Sequence, residues 1–172
     1  MGKINSKAKG NANENECVKI LNERFGEGKF KRSPSSGAFV GGQNRERSEN
    51  LSEEAKVTLA SDIITPTNFR FIIEHKAYKD VSFWDLFNES SNFFKWFEQV
   101  QGDAIFAKRE PILIVKFNRK SRIAFIKKDI YTDNCKYYFE VRGWYCYMLS
   151  DLLIMDDWFW YKDAKEINDG TK

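Results

Sequence analysis

One run constrains this chain more than any other. Phe69-Arg70-Phe71-Ile72-Ile73 is β-rich and apolar, and it ends directly in Glu74-His75-Lys76. A charge at the end of a core strand needs a partner or a metal ion. Just upstream, Asp62 precedes the apolar pair Ile63 and Ile64, and Pro66-Thr67-Asn68 is a turn signal. Together these predict two antiparallel strands joined by a short turn. Side chains alternate faces along a strand, so Glu74 and Lys76 share one face and His75 points to the other. The turn then returns Asp62 to the side of Glu74. Two carboxylates and an ammonium converge there. Carboxylate oxygens are the hard ligands that Mg²⁺ prefers. A neighbouring lysine can position or deprotonate an attacking water, which is the equipment for metal-assisted phosphodiester hydrolysis. The same spacing also fits an ordinary surface hairpin with a Glu–Lys pair.

A third carboxylate comes from the first helix. Cys17, Ile20, Leu21 and Phe25 form an apolar stripe from a helix expected to start near Asn11, with Asn11 or Asn13 as its cap and Gly26 and Gly28 ending it. Glu14 precedes Cys17 by three residues and Leu21 by seven, which places it on the inward edge, whereas Glu16 points more toward solvent. A Glu in a first turn often only complements the helix dipole. Its inward position makes Glu14 the candidate third ligand.

Composition narrows the class. The 172 residues suit one domain with a real core. No apolar run is long enough to span a bilayer, and residues 1–10 read as a polar, basic arm without a hydrophobic signal region. Cys17, Cys135 and Cys146 form no CxxC pair and read as reduced thiols of a cytoplasmic protein. His75 is the only histidine, so no His-based zinc cluster can form, and its strand position turns it away from Glu74. Charge is uneven. Residues 1–128 hold 23 Lys and Arg against 16 Asp and Glu, whereas residues 129–172 hold 5 against 9. A basic first part suits phosphate contacts as well as a solvated mixed-charge surface.

The remaining elements follow in order. Lys29 to Arg32 reads as a strand and Ser33 to Gly37 as a loop. Residues 38–59 read as a long loop, with one helical turn near Ser52. Its Arg45 and Arg47 are candidate phosphate clamps, or partners for Glu46 and Glu49. Ser82 caps a short helix with Asp85 three residues on. From about Ser91 a helix carries Phe93, Trp96, Phe97, Val100 and Ala104 on one face. Phe94 lies off that stripe and is the residue expected to face a second copy, unless its own C-terminal segment covers it. Ile112–Phe117 and Arg122–Ile126 read as adjacent core strands around the turn Asn118–Ser121. Tyr137–Val141 and Trp144–Leu149 read as a hairpin around Arg142-Gly143, and Asp151–Tyr161 as a short aromatic helix. The expected domains are an arm (1–10), a core (11–128) and an acidic, aromatic extension (129–172) packed on it. The expected fold is α/β, a mixed sheet flanked by helices.

Five segments in this order carry a family resemblance. Lys9-Gly10-Asn11-Ala12-Asn13-Glu14-Asn15-Glu16 ahead of an amphipathic helix resembles the opening of the archaeal-type Holliday-junction resolvases, members of the PD-(D/E)xK nuclease superfamily that viruses also encode. Phe30-Lys31-Arg32-Ser33 with Ser36-Gly37 is similar to that family's basic strand and Ser/Gly loop. Ser61-Asp62-Ile63 and Ile73-Glu74-His75-Lys76 resemble its catalytic pair of strands, and Pro111–Phe117 its later core strand. The resemblance covers about residues 9–127. It implies a restriction-endonuclease-like core in the order α-β-β-β-α-β. It implies that Glu14, Asp62 and Glu74, with the backbone carbonyl of His75, hold Mg²⁺ or Mn²⁺, and that Lys76 acts on the attacking water. Lys9, Arg32, Ser36, Arg45, Arg47 and Lys79 are the expected DNA contacts. The implied activity is paired nicking of four-way junctions by a homodimer, in a host cytoplasm if virus-encoded. Another nuclease of the superfamily, restriction-like or exonucleolytic, and a non-catalytic nucleic-acid-binding module are the alternatives. Four departures stand out: the long loop 38–59, Ser61 where the pattern has Pro, His75 at the middle of Glu-x-Lys, and the segment after Asp129, which matches nothing in that pattern.

Overall fold

The computed structural model describes residues 6–34, 51–130, 132 and 135–163. Ser36, Arg45 and Arg47 lie outside the described residues. Helix α1 (Ser6–Phe25) begins earlier than its Asn-rich start suggests, so Lys9 stands on the helix rather than in a separate arm. It stops where Gly26 takes φ +115°, a value disfavoured for any residue with a Cβ. Buried Asn22 then clamps the next segment. Its side chain donates to the Phe30 carbonyl and accepts from the Phe30 N–H, at 3.0 and 2.8 Å.

Strand β1 (Lys31–Arg32) follows, then α2 (Glu53–Ala60), capped by Ser52, then β2 (Ile63–Ile64). Helix α2 is two turns where the sequence suggests one. The catalytic pair of strands also differs from expectation. Strand β2 pairs antiparallel with β1, not with the long strand β3 (Phe71–Tyr78). The reason is local. Ser61, with its hydroxyl 2.6 and 3.0 Å from the Ile63 and Ile73 carbonyls, and the Asp62 N–H bound to the Ile73 carbonyl make one point of attachment rather than a ladder. The turn between the two strands is held from outside. The Arg109 guanidinium donates to Thr65 Oγ1 and to the carbonyls of Pro66, Thr67 and Phe69, at 2.6–3.1 Å.

Beyond β3, a 3-10 turn (Phe83–Leu86) carries the expected Ser82–Asp85 capping box. Helix α3 (Asn92–Ala107) crosses back to β4 (Glu110–Phe117), which runs parallel to β3. Strands β5 (Arg122–Lys127), β6 (Phe139–Val141) and β7 (Trp144–Met148) complete a mixed five-stranded sheet in the order β3-β4-β5-β7-β6. The β6–β7 turn places Arg142 and Gly143 at φ +47° and +78°, the geometry of a tight two-residue hairpin. Two strands from beyond residue 129, β6 and β7, thus lie in the same sheet as β3–β5. The expected Asp151–Tyr161 helix is instead two single turns, α4 (Leu149–Leu152) and α5 (Asp157–Trp160).

The sheet divides the core in two. Alternation sends Phe71 and Ile73 toward α1, where Cys17, Leu21, Phe25, Phe159 and Trp160 pack, and sends Ile72 toward α3 with Phe93, Phe97 and Val100. This is the α/β, restriction-endonuclease-like architecture expected. Phe94 is buried in its own chain, with the Arg142 guanidinium 4.5 Å above its ring. The C-terminal hairpin covers the place assigned to a second copy. All three cysteines are free thiols. Among the described residues no helix is long and apolar enough to cross a membrane.

Candidate active site

Strand β3 is the edge of the five-stranded sheet, and everything of chemical interest gathers along its outer side. Glu74 is only 2 % exposed. It shares the α3 face with Ile72, as alternation requires. Lys76 lies two residues on, on the same face, in direct ion-pair contact with the Glu74 carboxylate. Asp62 reaches β3 from the β2 side and accepts the His75 N–H on Oδ2 at 2.9 Å. In an extended strand a residue's N–H and C=O point to the same side, so the His75 carbonyl lies on this outer edge too. Glu14 arrives from α1, and the Arg32 guanidinium stands 3.5 Å from its Oε2. The Ser33 N–H donates to the Asp62 carbonyl at 2.8 Å, and this fixes the basic strand against the acid.

The electrostatics are those of crowded carboxylates. Burial, reinforced by the Asp62 charge, pushes the Glu74 carboxyl up to about 8 against the pull of Lys76. Burial raises Asp62 despite the His75 N–H and Lys76. Burial and Asp62 raise Glu14, with Arg32 opposing. Burial works against the Lys76 ammonium, but Glu74, Asp62 and Asp103 outweigh it and hold the charge more firmly. Apart from their ion pairs with Arg32 and Lys76, the buried oxygens Glu14 Oε2 and Glu74 Oε1 accept no hydrogen bond. Both carboxyls feel the Asp62 charge, and hard anionic oxygens with so few donors are of the kind that a divalent cation takes. Among the described residues, however, no three acidic, histidine or cysteine side chains stand close enough together to enclose an ion unaided.

His75 occupies the opposite face, as alternation predicts. Neither ring nitrogen has a hydrogen-bond partner. Burial, with Arg122 and Lys76 nearby, takes its pKa down to about 3, so it is a neutral packed group. Arg122 beside it binds the Glu16 carboxylate at 2.8 Å and the Asn13 carbonyl at 3.3 Å, and so ties both sides of Glu14 to β5.

The expected DNA contacts divide. Arg32 is half-buried at the carboxylates. Lys79 is exposed just beyond Lys76. Lys9 donates to Asn118 Oδ1 at 2.6 Å and joins α1 to the β4–β5 turn. Sequence reasoning missed Asp103, whose charge acts on both Glu74 and Lys76. Its signal was present, three residues after Val100 and seven after Trp96 on the buried stripe of α3. Arg109 and Arg122 carried no comparable signal, because their partners lie far off in sequence.

Comparison with known proteins adds one finding. A family model described as "Phage putative PDDEXK endonuclease" matches residues 5–144. No curated protein and no solved structure shows a match.

Proposed function

The chain belongs to the phage PDDEXK endonuclease family, and from that premise we propose that it is a divalent-metal-dependent, structure-specific DNA endonuclease. The observation that carries this is the meeting of Asp62, Glu74 and Lys76 on the outer edge of β3, with Glu14 brought in from α1. Asp62, Glu74, Glu14 and the His75 carbonyl are the groups to hold Mg²⁺ or Mn²⁺. When bound, such an ion polarises the scissile phosphate and lowers the pKa of water. Lys76 does what the chain itself can do. Its ammonium, kept charged by Glu74 and Asp103, orients the attacking water and offsets charge building on the phosphate. Arg32 restrains Glu14 and faces the phosphate backbone, and Lys79 provides a contact further along the strand.

The finer form of the reading is resolution of four-way junctions by paired nicks from a homodimer. The order of the five sequence segments supports it. The burial of Phe94 in its own chain withdraws the residue that the sequence offered to a second copy. Incubation with Mg²⁺ and a panel of four-way, flapped, duplex and single-stranded DNA is the test. Selective, symmetric cutting of the four-way form supports the finer reading, and cutting of other branched or tailed DNA supports the endonuclease alone. Absence of any cutting in Mg²⁺ and in Mn²⁺ overturns both.

A further inference from the structure

The chain leaves the carboxylate cluster through Tyr78 and Lys79, and the next residues carry an unusual surface. Tyr78, Trp84 and Phe87 are 43, 73 and 62 % exposed. Local structure holds them there. The Ser82–Asp85 capping box fixes the 3-10 turn. Val81 and Leu86 take the inward places against the core cluster of Phe93 and Phe97, which leaves Trp84 and Phe87 on the outer side with ring centroids 6.2 Å apart. Tyr78 is steadied by Asn92, which donates to its hydroxyl at 3.1 Å, and by the edge of Trp96. Beside this turn a cavity of about 520 Å³ is lined by Lys79, Asp80, Val81, Phe117, Asn118, Arg119 and Lys120. Three of those seven are cationic and one is acidic. Lys9 reaches the same rim through Asn118, and Lys116 through the Lys120 carbonyl.

We propose that Trp84 and Phe87, with the Lys79–Arg119–Lys120 rim, dock an unpaired stretch of the DNA strand beside the cut, so that the substrate is duplex DNA carrying single-stranded nucleotides. This rests on the endonuclease reading and names its substrate class. The argument is complementarity. A cationic rim beside exposed rings matches a strand with phosphates on one side and free base faces on the other, and stacking on aromatics is how unpaired bases are held without regard to sequence. An intact duplex hides its base faces, so it can use the rim but not the rings. The position suits a substrate strand already at Lys76. Tyr78 lies two residues along the same face, roughly 7 Å at the rise of a strand.

The test uses the full chain in EDTA, where binding is read apart from cleavage. Fluorescence anisotropy compares a blunt duplex with the same duplex bearing a single-stranded tail, and 2-aminopurine in the tail reports stacking. The tail is expected to tighten binding roughly fivefold or more, the lower end of what one aromatic platform contributes, and 2-aminopurine fluorescence is expected to fall. Trp84→Ala with Phe87→Ala should bring the tailed-to-blunt ratio to about one and abolish the quench, and Trp84→Phe should recover part of both. Lys79→Ala with Arg119→Ala and Lys120→Ala should make the log–log salt slope shallower by about 0.7 for each phosphate that the variant no longer neutralises. Circular dichroism confirms folding of each variant. Equal affinity for the two DNAs overturns the proposal, as does a tail preference that survives the double alanine variant. So does self-association abolished by Trp84→Ala, which would make the rings a seam between copies. Cleavage in Mg²⁺ separates the two readings. Tailed and blunt DNA bound and cut alike sink this inference and leave the endonuclease standing. A tail preference without any cutting sinks the endonuclease and leaves the docking surface.

Discussion

Glu74 and His75 are neighbours on one strand, 2 and 3 % exposed, and they face opposite sides of the sheet. Each is pushed toward its neutral form by burial, yet the surroundings differ in kind. Glu74 looks onto other carboxylates, and its buried oxygen has only the Lys76 ammonium to answer it. His75 looks onto Arg122, whose charge is already matched by Glu16. One face carries a surplus of carboxylates, and the other is balanced. Burial of a titratable group is thus no sign of chemistry by itself. What distinguishes the candidate site is like charges held together.

Four experiments bear on this contrast between the two faces. The largest effect belongs to the carboxylates. Glu74→Gln or Asp62→Asn should lower cleavage in Mg²⁺ by roughly two to three orders of magnitude, the scale of losing one preorganised electrostatic contact, while DNA binding is kept or tightened. Lys76→Ala should lose turnover and keep metal binding, read by Mn²⁺ titration. Near-normal cleavage by Glu74→Gln would erase the distinction between the faces.

Next comes Arg122. Its side chain is buried while that of Glu16 is largely exposed, so the loss falls on one partner. Arg122→Ala should cost about 1.5–3 kcal/mol, the range for hydrogen bonds to charged groups, in urea unfolding. It should also let the His75 ring, followed by NMR, titrate closer to its ordinary range. An unmoved His75 would show that burial alone sets its proton affinity.

The pH dependence of stability is smaller and has a definite sign. Glu74 is raised from 4.5 to about 8 in the folded protein, so the fold keeps a proton that the unfolded chain has lost. Its contribution is complete below about 4.5 and is lost as pH rises to 8. His75 is lowered from 6.5 to about 3, so its contribution is lost as pH falls through that window and is level above 6.5. From pH 6.5 to 8 the Glu74 slope therefore remains without opposition from His75, and stability in EDTA should decline. Glu74→Gln should flatten that decline, and so should saturating Mg²⁺. A slope unchanged by either would mean that Glu74 is already ionised at neutral pH.

The smallest effect is expected at His75. Its ring nitrogens have no partners to lose, and replacing a buried polar group by an apolar one can be nearly neutral. His75→Leu should stay within about 1 kcal/mol of the parent in thermal unfolding and should keep cleaving, because only its backbone meets Asp62. Loss of cleavage by a stably folded His75→Leu would give this face a role that its geometry does not suggest.

Much of the site is legible in the sequence because it follows from periodicity. Alternation along β3 puts Glu74 with Lys76 and turns His75 away, and helical spacing puts Glu14 on the inward edge of α1. These rules act over a few residues, and so does the capping chemistry of Ser82 and Asp85. The pairing of β2 is not legible in this way, because a turn signal says that two strands approach and not which neighbour wins the ladder. Which of the two readings of Phe94 holds is not legible for a related reason. Its burial depends on a hairpin far along the chain.

Local spacing and backbone preference thus suffice for most of the elements, for their inward faces, and for the carboxylates and lysine that meet along one edge strand. Other features came only with the assembled fold. These are the pairing of β2 with β1, the extension of the sheet by β7 and β6, and the clamping by Arg109 and Arg122 of the turn and the helix that present Asp62 and Glu14. They rest on contacts between residues far apart in the chain. Which contacts form is settled by burying both faces of the sheet at once, and no local pattern records that competition.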